Sequence, residues 1–145
     1  MLLKELFDKP EEIKWTYFNK YQAHGIFNIN KMQYAIHIND ISDYQEKDYD
    51  PGDVVDIEFL VKGTRKGQGI TDTGNEIKVF STVISGITEW VKQYKPKVIS
   101  FIAKEPSRRK LYERMIRVIG SKLGYKLHKD TKVVDDEKEY YLVRK

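Results

Sequence analysis

The chain has 145 residues and a mass of 17.1 kDa, with 26 Lys and Arg against 22 Asp and Glu, a net charge of +4 and no cysteine. That length supports one domain able to bury roughly 68–70% of its unfolded surface, and residues 1–145 read as a single unit. A chain without cysteine has no disulfide, thiolate zinc site, iron–sulfur cluster or cysteine nucleophile, and its longest apolar runs, such as 98–103, are far too short to span a bilayer.

The N-terminal stretch carries Glu5 and Asp8 and lacks a small-residue cleavage site, so a soluble, cytoplasmic protein is expected. Residues 2–8 form a helix candidate with Leu3, Leu6 and Phe7 on one side, ending before Pro10. From residue 13 the period changes to two. Ile13, Trp15 and Tyr17 alternate with polar residues and predict a strand. Two more strands are predicted near 22–29 and 32–39, around a turn at Asn30-Lys31. Asp50-Pro51-Gly52 marks the acidic stretch 40–53 as a loop. A strand from Asp53 to Lys62 then turns Val55, Ile57, Phe59 and Val61 inward.

Residues 63–69 are glycine-rich and basic. Thr73 with Glu76 has the spacing of a capping box, a hydroxyl at the N-cap and a carboxylate at the third helical position. The helix it opens reaches about Tyr94, since Ile77, Phe80, Ile84, Ile87, Val91 and Tyr94 recur at spacings of three and four, and Pro96 stops it. Val98 to Ala103 reads as a buried strand. A second helix starts at Pro106-Ser107, carries Leu111, Met115, Ile119 and Leu123 on its apolar stripe, and ends at Gly124. Strands near 125–129 and 139–144 close the chain. The predicted class is α/β (α+β), with a mixed, mostly antiparallel sheet and a β-α-β-α-β-β C-terminal half.

Charge is segregated along the chain. Residues 40–58 hold Asp40, Asp43, Glu46, Asp48, Asp50, Asp53, Asp56 and Glu58 against Lys47 alone. Residues 104–132 are strongly basic, and a solvated helix face or a nucleic-acid patch would each account for them. His24, His37 and His128 show no ligand spacing, so no metal site is predicted. No Gly-x-Ser-x-Gly elbow occurs.

The element order resembles the GNAT N-acetyltransferase fold, in which antiparallel strands feed a central strand, a cofactor-binding helix, another strand, a second helix and a closing hairpin. Leu111-Tyr112-Glu113 with Lys122-Leu123-Gly124-Tyr125 is similar to that family's Leu-Tyr-Glu-Lys-x-Gly-Phe signature, drawn apart by about two helical turns. Residues 70–75 followed by 79–83 resemble a group of bacteriophage proteins with GNAT-like folds. The resemblance implies acetyl-CoA as cofactor, an amine as acceptor, and pyrophosphate binding at the mouth of the first long helix. There backbone N–H groups and the helix dipole favour an anion.

Thr71, Thr73, Gly74 and Asn75 lie at that mouth, and a capped helix entered through a turn needs the same residues. Arg65-Lys66-Gly67-Gln68-Gly69 is a nearer match in composition but sits further from the helix start. Arg108, beside Arg109 at the second helix start, is placed to clamp a phosphate. The resemblance also implies Tyr112 as the acid that protonates the leaving thiolate, and Glu58 as the base for the amine. Glu105 and Arg108 stand where the family has asparagine and alanine. A GNAT-like protein without catalysis, binding a host or viral protein, is the alternative, with nucleic acid on 104–132 as a third.

Overall fold

A computed structural model describes residues 10–45, 47–62, 76–103, 106–128, 132–134 and 137–145, giving backbone only for several residues at element ends. It is an α+β fold: one mixed sheet with two helices on one of its faces. The strands are β1 (Lys14–Phe18), β2 (Gln22–Ile29), β3 (Met32–Asp40), β4 (Val54–Lys62), β5 (Val98–Ala103), β6 (Tyr125–Leu127), β7 (Lys132–Val134) and β8 (Glu137–Arg144). The helices are α1 (Glu76–Tyr94) and α2 (Pro106–Leu123). The sheet order is β1-β2-β3-β4-β5-β8-β6, with β7 also on β8. β4 and β5 form the parallel pair, and the other pairings are antiparallel.

The predicted hairpin of residues 22–29 and 32–39 forms with its turn where expected. Asn30 and Lys31 both adopt positive φ, 49° and 68°, the left-handed pair that matches strand twist in a two-residue hairpin. The closing region differs from the sequence expectation. Three strands form instead of two, because β8 offers its outer edge to β6 at one end and β7 at the other. β8 thereby lies between β5 and β6 and completes the sheet from inside.

Period-two alternation decides which residues meet the helices. Ala23 and Phe27 of β2, Tyr34, Ile36 and Ile38 of β3, Val55, Ile57 and Phe59 of β4, Ile99 and Phe101 of β5, and Tyr140 and Leu142 of β8 are all buried in one core. α1 contributes Val79, Phe80, Val83, Ile84, Ile87, Trp90 and Val91, while α2 contributes Tyr112, Met115, Ile116 and Ile119. Ile77, expected on the buried stripe of α1, is 48% exposed in the first turn. Lys95 takes positive φ (46°), donates its N–H to Val91 O (2.8 Å), and ends α1 just before Pro96. Gly124, also at positive φ, ends α2 in the way the sequence predicts.

β1 departs from simple alternation. A bulge between Trp15 and Tyr17 sets Trp15 opposite Gly25, on the helix side, and Tyr17 opposite His24, on the other. The alternation of Ile13, Trp15 and Tyr17 had placed all three on one face. The cause is packing: Ile13 and Trp15 fill the hollow left by Gly25 and Gly86. Trp90 Nε1–H donates to Asn19 O (2.9 Å), tying the β1–β2 connection to α1. The candidate helix at 2–8, the 63–69 loop and the Thr73 cap lie outside the described residues.

Candidate functional site on the outer sheet face

With both helices on one face, the polar members of each strand collect on the other. Register aligns them in rows. One row runs Tyr17, His24, His37, Glu58 across β1 to β4. Its continuation on the next strands is Ile102 opposite Glu139. The adjacent row runs Gln22, Asn39, Asp56, Ser100 and Tyr141 across β2 to β8.

Within these rows the side chains are in contact. The His24 and His37 rings lie 4.6 Å apart between centroids, and Tyr17 stands edge-on to His24 at 5.6 Å. His24 Nε2–H donates to Asn39 Oδ1 (3.0 Å), which fixes the imidazole plane. Ser100 Oγ is 1% exposed and has no hydrogen-bond partner among the described residues. Burial, then the hydrogen bond and charge of Glu139, then the charge of Asp56, push the Tyr141 phenol well above its ordinary range. Glu139 is therefore the carboxylate partner of that hydroxyl, with the charge of Asp56 adding a smaller effect.

A second feature concerns the central strands. β3 pairs with β4 as far as Lys62, and β8 pairs with β5 as far as Ala103. β4 and β5 pair only from Val54↔Val98 to Ile57↔Phe101. Beyond that point the parallel strands part, and Glu58 is the first β4 residue past it. On the helix side, the Tyr112 ring lies 4.8 Å from Phe59 and 6.1 Å from Phe101 between centroids, over the place where the strands separate.

Loop 41–53 lies over the β5–β8 end of the outer face and is pinned at both ends. Asp40 Oδ1 accepts from Ser42 N–H (3.0 Å) and from Ser42 Oγ–H (2.6 Å), and Ser42 Oγ accepts from Val54 N–H (3.0 Å). Asp53 O accepts from Lys97 and Val98 N–H, and its carboxylate meets Lys97 Nζ at 3.4 Å.

The structure does not bring the sequence-predicted residues into one pocket. Glu58 lies on the outer face, half-buried, while Tyr112 is 1% exposed in the core on the opposite face. Thr71, Thr73, Gly74 and Asn75 lie outside the described residues, and of Arg108 only the helical backbone is described. Lys110, Arg114 and Arg117 share one exposed stripe of α2, with Arg114 also over the Phe80 ring at 5.2 Å. The sequence reading missed His24 and His37 as neighbours. Their signal was present: a two-residue turn pairs residues equidistant from it, and His24 is six before Asn30 as His37 is six after Lys31. Among the described residues no group of three or more His, Asp or Glu is arranged to hold a metal ion, and no helix is long and apolar enough to cross a membrane.

No family model matches the sequence, and no curated protein matches it. Among solved structures, an uncharacterised protein from Bacillus halodurans is similar over 88% of this chain at 13% identity, with a TM-score of 0.48. The chain spans 60% of that protein's length.

Proposed function

We propose that the chain is an acyl-CoA-dependent N-acyltransferase with a GNAT-like fold, taking acetyl-CoA as donor and an amine as acceptor. The observation that carries this reading is the parting of β4 from β5 immediately before Glu58. Facing strand edges that stop pairing leave backbone N–H and C=O groups in need of partners. An extended chain with amide groups, such as the pantetheine arm of CoA, can supply them as an added strand does. A thioester delivered to the mouth of the split would meet Glu58 from the outer face. A carboxylate there can take a proton from the bound ammonium, directly or through one water, leaving a neutral amine whose lone pair attacks the thioester carbonyl. Tyr112 covers the inner side of the same split, so a thiolate leaving inward would meet a phenol of comparable acidity. The rest of the rate enhancement would come from positioning.

The order of antiparallel strands, β4, α1, β5, α2 and a closing strand group supports the family likeness. Thr71, Thr73, Gly74, Asn75 and Arg108 are proposed for the cofactor phosphates on sequence grounds alone. The test is thiol release from acetyl-CoA with a panel of small amines. Glu58→Gln should lower kcat by about 100-fold or more with little change in KM for acetyl-CoA. Undiminished turnover in that variant would remove Glu58 from the mechanism.

A second reading is a non-catalytic binding protein, for a host or viral protein or for nucleic acid. The exposed stripe Lys110, Arg114, Arg117 favours the nucleic-acid version, which requires affinity that falls steeply with salt.

A further inference from the structure

Between loop 41–53 and the β5–β8 end of the outer face lies a groove of about 620 Å³, a size typical of small-molecule sites. Its functional lining is three tyrosines, Tyr44, Tyr49 and Tyr141, with Glu139, Lys47 and His128. Tyr44 is 84% exposed, so packing in the free protein does not account for it. The floor lies between Val98 of β5 and Val143 of β8, which pair directly. Ser100 follows Val98 by two residues on the same sheet face and pairs with Tyr141, but it is buried beneath the groove and is not part of its lining.

The charge around this groove is negative. Lys47 is outnumbered by Glu139 in the lining, Asp56 in the neighbouring row, and Asp43, Asp48 and Asp50 in the loop, while Asp53 is paired with Lys97. Aromatic faces beside a carboxylate attract ammonium groups and repel anions. The pinning of the loop at Ser42 and Asp53 keeps the wall in place without a ligand, which lowers the ordering cost of binding.

We propose that this groove binds a small flexible organic cation bearing primary ammonium groups, held between the tyrosine rings and the Glu139 carboxylate. Binding as such stands apart from the acyltransferase reading; only the ligand's role as acyl acceptor rests on it. Glu139 lies in the continuation of the Glu58 row, two strands away across the split, and so further than the roughly 10 Å that two paired strands would span. A diamine or longer chain anchored at Glu139 would extend its second amine toward Glu58.

The experiment is titration of the intact chain, without any CoA compound, with spermidine, putrescine and glutarate, followed by calorimetry or amide chemical shifts. Saturable binding of spermidine or putrescine, none of glutarate, and at least a tenfold loss in Glu139→Gln are expected. Tyr44→Ala should weaken binding about threefold or more. Its exposure means this variant keeps the fold even if Glu139→Gln does not. No saturable binding of either amine, equal binding of glutarate, or unchanged affinity in Tyr44→Ala and in a folded Glu139→Gln would overturn the proposal. A parallel titration with acetyl-CoA separates the two ideas. Cation binding with no response to acetyl-CoA removes the acyltransferase reading alone. A response to acetyl-CoA with no cation binding removes the groove alone.

Discussion

The His24 and His37 rings meet at a tilt across the β2–β3 pair, 4.6 Å between centroids, and Glu58 stands next in the same row. That arrangement depends on a two-residue turn whose second residue is poorly suited to it. Lys31 sits at φ 68°, a left-handed conformation costing an L side chain roughly 1–2 kcal/mol. Lys31→Gly should therefore raise stability by up to about 1 kcal/mol, partly offset by the freer unfolded chain. A chemical denaturation midpoint checks it, and the His24–His37 contact should persist in NMR spectra of the variant.

Two glycines make room for the same side chain and should respond differently. A Cβ on Gly25 would lie 2.5 Å from Ile13 Cγ2 and 2.7 Å from Trp15 Cε3, inside a rigid ring contact. A Cβ on Gly86 would lie 2.6 Å from Ile13 Cδ1, the mobile tip of a half-buried chain. Gly25→Ala should cost about 1–3 kcal/mol by overpacking. Gly86→Ala should cost less, because about 1 kcal/mol of helix propensity offsets the clash. Denaturation curves of the two variants give the comparison directly.

How far the fold was legible follows from these cases. Alternation and one turn sufficed for β2, β3 and β4, because each strand buries one face and a slip of one residue would expose it. The bulge in β1 was not legible: it answers to the hollow at Gly25 and Gly86, which exists only once α1 has docked. Glu58 could be placed on its strand from sequence, whereas its neighbours required register. The groove was least visible, since Tyr44 and Tyr49 sit in an acidic stretch that reads as an ordinary loop.

Two buried serines should behave in opposite ways. Ser42 is 2% exposed and bridges Asp40 to the Val54 N–H, so Ser42→Ala should cost about 1–3 kcal/mol by leaving a buried donor unpaired. Ser100 Oγ has no partner among the described residues, so Ser100→Ala should be neutral or stabilising. Thermal unfolding of both variants tests the contrast.

Three tyrosines set the alkaline limit. Burial raises Tyr125 to about 12 against the opposing charge of Arg144, and its hydroxyl donates to Pro96 O. Burial raises Tyr140 to about 12 as well, with the charge of and hydrogen bond to Glu113 adding and Arg109 opposing. Tyr141 is raised in the same direction. A folded pKa above the unfolded value of about 10 means the unfolded chain loses these protons first. For Tyr125 and Tyr140 that contribution is complete below pH 10 and is lost between about 10 and 12, at up to ~1.4 kcal/mol per pH unit for each group, and Tyr141 acts in the same direction. Tyr125→Phe should flatten that decline in a stability profile across pH 9–12.

The central claim is that the split beyond Ile57 and Phe101 receives an acyl-CoA. Thermal unfolding with millimolar acetyl-CoA, with CoA and ATP as controls, tests it most directly. A ligand at one hundred times its Kd adds about 2.7 kcal/mol, which in a domain of this size raises Tm by roughly 5–10 °C. The account predicts a rise of that order with acetyl-CoA and CoA and little or none with ATP. An unchanged Tm, or an equal rise with ATP, would contradict it.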